Sequence, residues 1–398
     1  MQVFTAVCLF AFTVFAPAVS WATSPRSPDL GSAVSGTIKI GGAFSLTGGG
    51  AALDLEAADG ARLALTEINR AGKTLGKTME LVIRDSQSRP DLAEQIARQL
   101  VEKDRVVAIL GYSDTDSALA VGPVIRKHRI PFITVGATSP KLPEQVGEMM
   151  FLACFGDNVQ AAAGAEFAFK HLGGGACLLW DKGMDYTRLL AGYFKRRFIE
   201  LGGSVVIEEP FDDETPDLSV QIQQLKSLPR SPDFFYIAAM PYNAGMVIRQ
   251  LREAGFSAPV LGGDGFDTPQ IVEIAGPAAE RVFFTTHALV DPTRGKEEMK
   301  RFITAFMAEY GREPRNSFAA LGYDAMRLVV DAVRRAGSTE PSSLKHALEE
   351  TREFSGLTGT ITLSTKSHIP QKSVTILEIK DGKFRWVEDL VPQSVPSP

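Results

Sequence analysis

Side chains able to hold a small molecule recur in this 398-residue chain just past runs of apolar β-formers. Val106–Leu110 gives way to Tyr112-Ser113-Asp114-Thr115-Asp116, and Ile130–Val135 to Gly136-Ala137-Thr138-Ser139. The other run ends carry Ser45 and Thr47, Asp85, Asp157, Asp181 with Asp185 and Tyr186, Met240 to Asn243 including Tyr242, and Asp264 between glycines. Hydroxyls and free N–H groups at a helix start hold anionic or carbonyl groups of a ligand. A carboxylate such as Asp264, flanked by Gly263 and Gly265, can hold an ammonium or a hydroxyl. Each residue also has a purely structural use. Asp114, Thr115, Asp116, Ser117, Asp157 and Asp185 can cap helices, and Asp-Gly forms turns. Two hydroxyl-rich loops on one edge favour a site. Asp114 and Asp116 beside Thr115 disfavour a carboxylate ligand there, because like charges close together oppose ionisation.

Other chemistries find little support. Gly48 and Gly50 match the first two glycines of a dinucleotide fingerprint, but Leu53 holds the third position, where close helix packing wants a small residue. There is no Walker motif, no Gly-x-Ser-x-Gly elbow and no His beside a Ser or Cys in a triad-like setting. Five histidines lie scattered without ligand spacing, so neither a metal nor a cofactor is expected. A carboxylate pair for glycoside hydrolysis leaves no signature to search for.

The elements that must position these residues alternate. Strands are expected at Ile38–Phe44, Met79–Arg84, the two runs above, Met149–Phe155, Ala176–Trp180, Ser204–Glu208, Asp233–Ala238, Pro259–Leu261 and Arg281–Thr285. Helices fall between them on 3.6-residue periodicity, as in Ala57, Ala61, Ala64, Leu65 and Ile68. Asp91 with Glu94 resembles a capping box. Three helices then precede short strands at Leu357–Leu363, Val374–Ile379 and Phe384–Val387. Repeated β-α alternation predicts an α/β chain with two Rossmann-like lobes, parallel sheets and ligands at the carboxyl ends of the strands. The expected division is 36–155 plus 287–360 for the first lobe, 156–286 plus 361–390 for the second, and a tail at 391–398.

A net charge of −5 gives no reason to expect nucleic acid. Residues 1–22 read as a secretory signal, an apolar run too short to span a bilayer followed by Ser20-Trp21-Ala22, and 23–35 as a flexible terminus. The protein is therefore expected in the periplasm. Cys8 lies in the leader. Cys154 and Cys177 can form one disulfide or remain buried thiols on neighbouring strands; both readings stay open.

The stretches IKIGGAFSLTGGGAALDLEAADGARLALTEIN, the segment ending GATSP, and PDFFYIAAMPYNAGMVIRQLREAG followed by VLGGDGF together resemble the branched-chain amino acid (Leu/Ile/Val-binding) type of periplasmic solute-binding protein of ABC transporters, a type I periplasmic binding fold. The resemblance runs from Thr37 to about Leu390. It implies two lobes joined by three crossings, ligand capture by lobe closure, no enzymatic activity, and a membrane permease as partner to a monomer. By position it makes Thr115 the hydroxyl that meets a ligand carboxylate, Gly136 a backbone carbonyl that accepts from the ligand, Ala137 part of the same loop, and Thr138 a hydroxyl and N–H contact. It makes Tyr186 the aromatic cover, places Met240 where a tyrosine is common, and puts Asp264 at the acid that pairs with an α-amino group. Asp114, Asp116, Asp157, Tyr242 and Leu53, at a position often aromatic, are further candidates. The ligand implied is a small polar solute, amino acid or amide-like. A ligand sensor of the same fold and a secreted α/β hydrolase are the alternatives.

Overall fold

A computed structural model describes residues 36–212 and 217–398; the expected leader and flexible terminus lie outside the described residues. The first half runs β1 (Thr37–Phe44), α1 (Ala51–Ala71), β2 (Thr78–Asp85), α2 (Pro90–Glu102), β3 (Ala108–Gly111), α3 (Thr115–Ala120), α4 (Gly122–His128), β4 (Phe132–Thr134), α5 (Leu142–Val146) and β5 (Met150–Leu152). The second runs α6 (Asp157–His171), β6 (Gly175–Asp181), α7 (Asp185–Glu200), β7 (Ser204–Phe211), α8 (Ser219–Ser227), β8 (Phe234–Ala238), α9 (Pro241–Glu253), β9 (Val260–Gly262), α10 (Gln270–Ala275) and β10 (Val282–Thr286). The chain then adds α11 (Glu297–Tyr310), α12 (Phe318–Ala336), α13 (Pro341–Glu349), β11 (Phe354–Gly356), β12 (Gly359–Ile361), β13 (Val374–Lys380) and β14 (Lys383–Leu390).

Two sheets result. The first is parallel throughout, in the order β2-β1-β3-β4-β5. The second has the order β14-β13-β10-β9-β8-β6-β7, in which β6 to β10 are parallel and the β13–β14 hairpin adds an antiparallel edge. Strand order reverses direction between β1 and β3 in one sheet and between β6 and β8 in the other. At such a switch point the helices leave on opposite faces and a crevice opens at the carboxyl ends of the strands. The apolar strand residues explain the burial: Ile38, Ile40, Ile109, Leu110, Phe132 and Ile133 form one core with α12, and Phe234, Phe235, Ile237, Val260 and Phe284 lie in the cores around the other sheet.

Helix α12 belongs to the first core although it follows β10 in sequence, and β13 returns to the second sheet, so the chain crosses between the sheets three times. The fit of α12 against α1 depends on two glycines. A Cβ on Gly60 would stand 1.8 Å from the Ala319 carbonyl oxygen, and one on Gly322 would stand 1.9 Å from that of Ala57.

Several local expectations are corrected. The run Leu357–Leu363 is not one strand: β11 and β12 pair as an antiparallel hairpin whose turn contains Leu357. No capping box forms at α2. Its N-cap is Arg89, and Asp91 instead pairs with that arginine's side chain at 2.6 Å, because Pro90 fixes the first helical residue. Cys154 and Cys177 are free, buried and in different cores, so neither a disulfide nor neighbouring strands describes them.

Candidate functional site

The crevices of the two sheets face one another across a cleft of about 500 Å³. The first sheet contributes Gly49 and Gly50 after β1, Ser88 and Pro90 after β2, and Asp114 and Asp116 after β3. From the second come Asp181, Gly183 and Met184 after β6, and Met240, Tyr242 and Asn243 after β8. Met240 packs against the cores of both halves. The cleft is thus lined at both switch points, and no lysine or arginine is among these wall residues.

The β1 turn is held from within the first half. Asp85, an expected strand-end contact, is spent on scaffold: its carboxylate accepts the Leu46 N–H (2.8 Å) and the Thr47 hydroxyl (2.8 Å). Gly48 has φ +85°, and a Cβ there would stand 2.8 Å from the Gln87 carbonyl oxygen, so glycine is required. After β3, Tyr112 adopts φ +53°, a left-handed conformation that costs a bulky residue energy. It persists because Tyr112 donates its N–H to Ala43 (3.0 Å) and its carbonyl accepts from Gly136, Ala137 and the Thr134 hydroxyl. That knot ties the two hydroxyl-rich loops together.

Asp114 is the N-cap of α3 and accepts the Ser117 N–H at 2.7 Å while also lining the cleft. Thr115 is buried, and its hydroxyl has no hydrogen-bond partner. Burial, then the charges of Asp114 and Asp185, pushes the Asp116 carboxyl up to about 6. Gly136 lies against the Phe318 ring, which a Cβ would meet at 2.5 Å, and Ala137 is fully buried. Leu53 does not reach the cleft: it is buried in the first core, where the apolar face of α1 directs it. Asp157 and Asp185 begin α6 and α7 without capping them; the caps are Gly156 and Met184.

Beneath the cleft the structure joins Thr138, Asp157, Tyr186 and Asp264 in one buried network. The Thr138 hydroxyl donates to Asp157 Oδ1 at 2.7 Å, and Gln160 Nε2 donates to Asp157 Oδ1 (3.0 Å) and Asp264 Oδ1 (2.8 Å). Tyr186 donates its hydroxyl to Asp264 Oδ1 at 2.9 Å and accepts the Gly265 N–H at 3.1 Å. His287 Nε2 lies 3.0 Å from Asp264 Oδ2. Burial, outweighing the hydrogen bond to Asp264, lowers the His287 pKa and so favours the neutral imidazole in this contact. Asp157 is the opposite case: burial, then the Asp264 charge, pushes its carboxyl up to about 8. Two carboxyls thus share one desolvated site, and one of them keeps its proton at neutral pH.

Gln160 and His287 were not among the expected site residues. Gln160 sits inside a helix rather than at a strand end, and only its offset of three from Asp157 signals a shared face. His287 follows β10 directly and was legible as a strand-end residue. Among the described residues, no group of three or more His, Cys, Asp or Glu side chains is arranged to hold a metal ion.

The family described as Periplasmic binding protein matches residues 37–383. The chain is similar to Leu/Ile/Val-binding protein homolog 3 of Brucella melitensis, at 30% identity over 90% of this chain and 95% of that protein. It is similar in structure to the leucine-binding protein LivK of Thermotoga maritima, with TM-score 0.83 and 32% identity over 89% of this chain and 99% of the other. LivJ of Streptococcus pneumoniae, a branched-chain amino acid transporter substrate-binding protein solved with isoleucine, gives TM-score 0.83 at 28% identity, covering 90% and 100% of the two chains.

Proposed function

The chain belongs to the periplasmic binding protein family, whose fold is that of solute-binding proteins, and from that premise we propose that it is the extracytoplasmic solute-binding component of an ABC importer. Its ligand is a small polar solute, an amino acid or a related amide or amine, held between the lobes and passed to a membrane permease. The observation that carries this reading is the pair of strand-end loop sets facing each other over a cleft of about 500 Å³, the size of small-molecule sites generally. Met240 serves on the cleft wall itself, and Thr115, Gly136, Ala137 and Thr138 from the first half and Tyr186 and Asp264 from the second serve from the buried layer behind it. Tyr242, 53% exposed at the cleft wall, is free to cover a solute. Capture by lobe closure desolvates the solute on both sides, which is where affinity comes from.

Charge narrows the solute. Asp114 and Asp116 line the first wall, and burial raises both carboxyls. A group that donates hydrogen bonds is favoured beside them over a second carboxylate. Mass spectrometry of solute released from the purified protein tests the proposal. Stoichiometric release of a small amine, amide or amino acid supports it, whereas conversion of a bound compound by the protein would replace it with an enzyme.

A further inference from the structure

The cleft carries negative charge that no side chain on its walls neutralises, and this narrows the solute beyond its being small and polar. Asp114 and Asp116 are half-buried on the first wall, and no lysine or arginine lines the cleft. Asp181 is fully buried and its Oδ1 accepts the Gly183 N–H at 2.8 Å, so the charge a solute meets is that of Asp114 and Asp116. Arg188, a cation that acts on Asp116, is off the wall and paired with Asp185. Burial raises both carboxyls, as it does for desolvated acids without a counter-ion.

Donors that could receive a carboxylate are spent or guarded. At the start of α3, Asp114 Oδ1 accepts the Ser117 N–H at 2.7 Å, so the chain's own carboxylate occupies a donor that an external anion would need. On the wall, Ser88 gives its hydroxyl proton to the Thr47 carbonyl at 2.8 Å and accepts the Gly50 N–H at 3.0 Å. Behind the wall, the Thr138 hydroxyl donates to Asp157 at 2.7 Å. The Thr115 hydroxyl has no partner, but it is buried and follows Asp114 and precedes Asp116 in the chain, where a further carboxylate would meet two like charges.

A cation meets the opposite conditions. The second wall adds the exposed Tyr242 ring and the thioethers of Met184 and Met240, polarisable surfaces that suit an alkylammonium or guanidinium group. Resting on the reading that this cleft holds the solute, we propose that the solute is an organic cation without a carboxylate, an alkylammonium or alkylguanidinium. Its charge is held by Asp114 and Asp116, and its carbon chain lies against Tyr242 and the two methionines.

The test is titration calorimetry of the full chain with two pairs that differ only by a carboxylate, isoamylamine against L-leucine and agmatine against L-arginine, with acetamide as the neutral comparison. At least one of the two amines is expected to bind, and at least tenfold more tightly than its amino acid and than acetamide. Asp114→Asn, which keeps the helix cap and removes the charge, and Asp116→Asn should each weaken that binding at least tenfold without a loss of melting temperature. An amino acid or acetamide that binds as tightly as the amines, or an amine affinity unchanged in both variants, would overturn the proposal while leaving a solute-binding protein. Absence of heat from both amines would overturn it too, and absence of heat from all five compounds would count against the underlying reading as well.

Discussion

Gln160 grips Asp264 twice: its Nε2 donates to Asp264 Oδ1 over 2.8 Å, and its Oε1 accepts the Asp264 backbone N–H over 3.1 Å. The same Oε1 accepts the Thr285 hydroxyl at 2.7 Å, and the same Nε2 reaches Asp157 Oδ1 at 3.0 Å, so the amide is saturated on both ends. A single side chain in α6 therefore fixes the height and rotation of Asp264, which follows β9, far along the chain. Gln160→Leu keeps the volume and removes all four bonds. It leaves buried donors unmet, each at a cost of about 1–3 kcal/mol. We expect a lower urea midpoint together with a solute affinity reduced at least tenfold; unchanged affinity in calorimetry would take Gln160 out of the site's construction.

Stability should depend on pH through the acids that burial raises. The folded-state values are about 8 for Asp157, about 7 for Asp54 and about 6 for Asp116, against an ordinary 3.8. Between the ordinary value and the raised one, the folded chain holds a proton that the unfolded chain releases. The contribution is therefore complete below about pH 4 and is lost as pH rises through each folded value, last at about pH 8 for Asp157. Urea midpoints should fall from about pH 5 to about pH 8, and Asp157→Asn should flatten the upper part of that fall. A midpoint that climbs over this interval contradicts the assignment.

The α1–α12 contact tolerates nothing larger than glycine at two points. Gly322→Ala places a methyl 1.9 Å from the Ala57 carbonyl oxygen, which is backbone and cannot rotate away. Overpacking of this kind costs about 1–3 kcal/mol or more. Thermal unfolding should show a clear loss in Gly322→Ala and in Gly60→Ala. Gly192→Ala, at a helix position with nothing within 4 Å of the added carbon, is the control expected to retain full stability.

Much of this was legible in the chain itself. Strand ends fall where apolar runs stop, and of the residues past them Asp114, Asp116, Asp181, Met240 and Tyr242 line the cleft, whereas Thr115, Gly136, Ala137, Thr138, Tyr186 and Asp264 are not on its wall. Leu53 was misplaced because a position in an aligned turn does not say which way a helical side chain faces; periodicity sends it to the core. Gln160 escaped notice because its partners Asp264 and Thr285 are more than a hundred residues away, a separation no local pattern encodes. The role of Asp85 was hidden for a similar reason: hydrogen bonds to the neighbouring turn compete with a ligand for the same carboxylate.

Both cysteines should behave as inert core residues. Burial raises the Cys154 and Cys177 thiols well above the ordinary value, which suppresses the nucleophilic thiolate. Iodoacetamide should leave both unmodified in the native protein and alkylate both in denaturant. A reducing agent should not move the melting temperature; a drop would reveal a disulfide that the structure does not contain.

Phe318 sets the position of the Thr138 loop through Gly136. A Cβ at Gly136 would meet the ring at 2.5 Å and the Ser113 hydroxyl at 3.0 Å. Gly136→Val should therefore weaken solute binding by displacing the loop, and Gly136→Val/Phe318→Ala should recover part of the affinity by clearing the space. Affinity that is equal in all three proteins would remove the loop from the site.

On the proposed function, Asp264 is expected to receive a donor group of the bound solute. Titration calorimetry of the protein with L-leucine, L-isoleucine, L-valine, short amides, urea and hydroxybenzoates, repeated with Asp264→Ala, tests this directly. The predicted result is heat from amine- or amide-bearing solutes that disappears in the variant while its far-UV circular dichroism is unchanged. Heat from hydroxybenzoates alone, or binding that survives in Asp264→Ala, would contradict it.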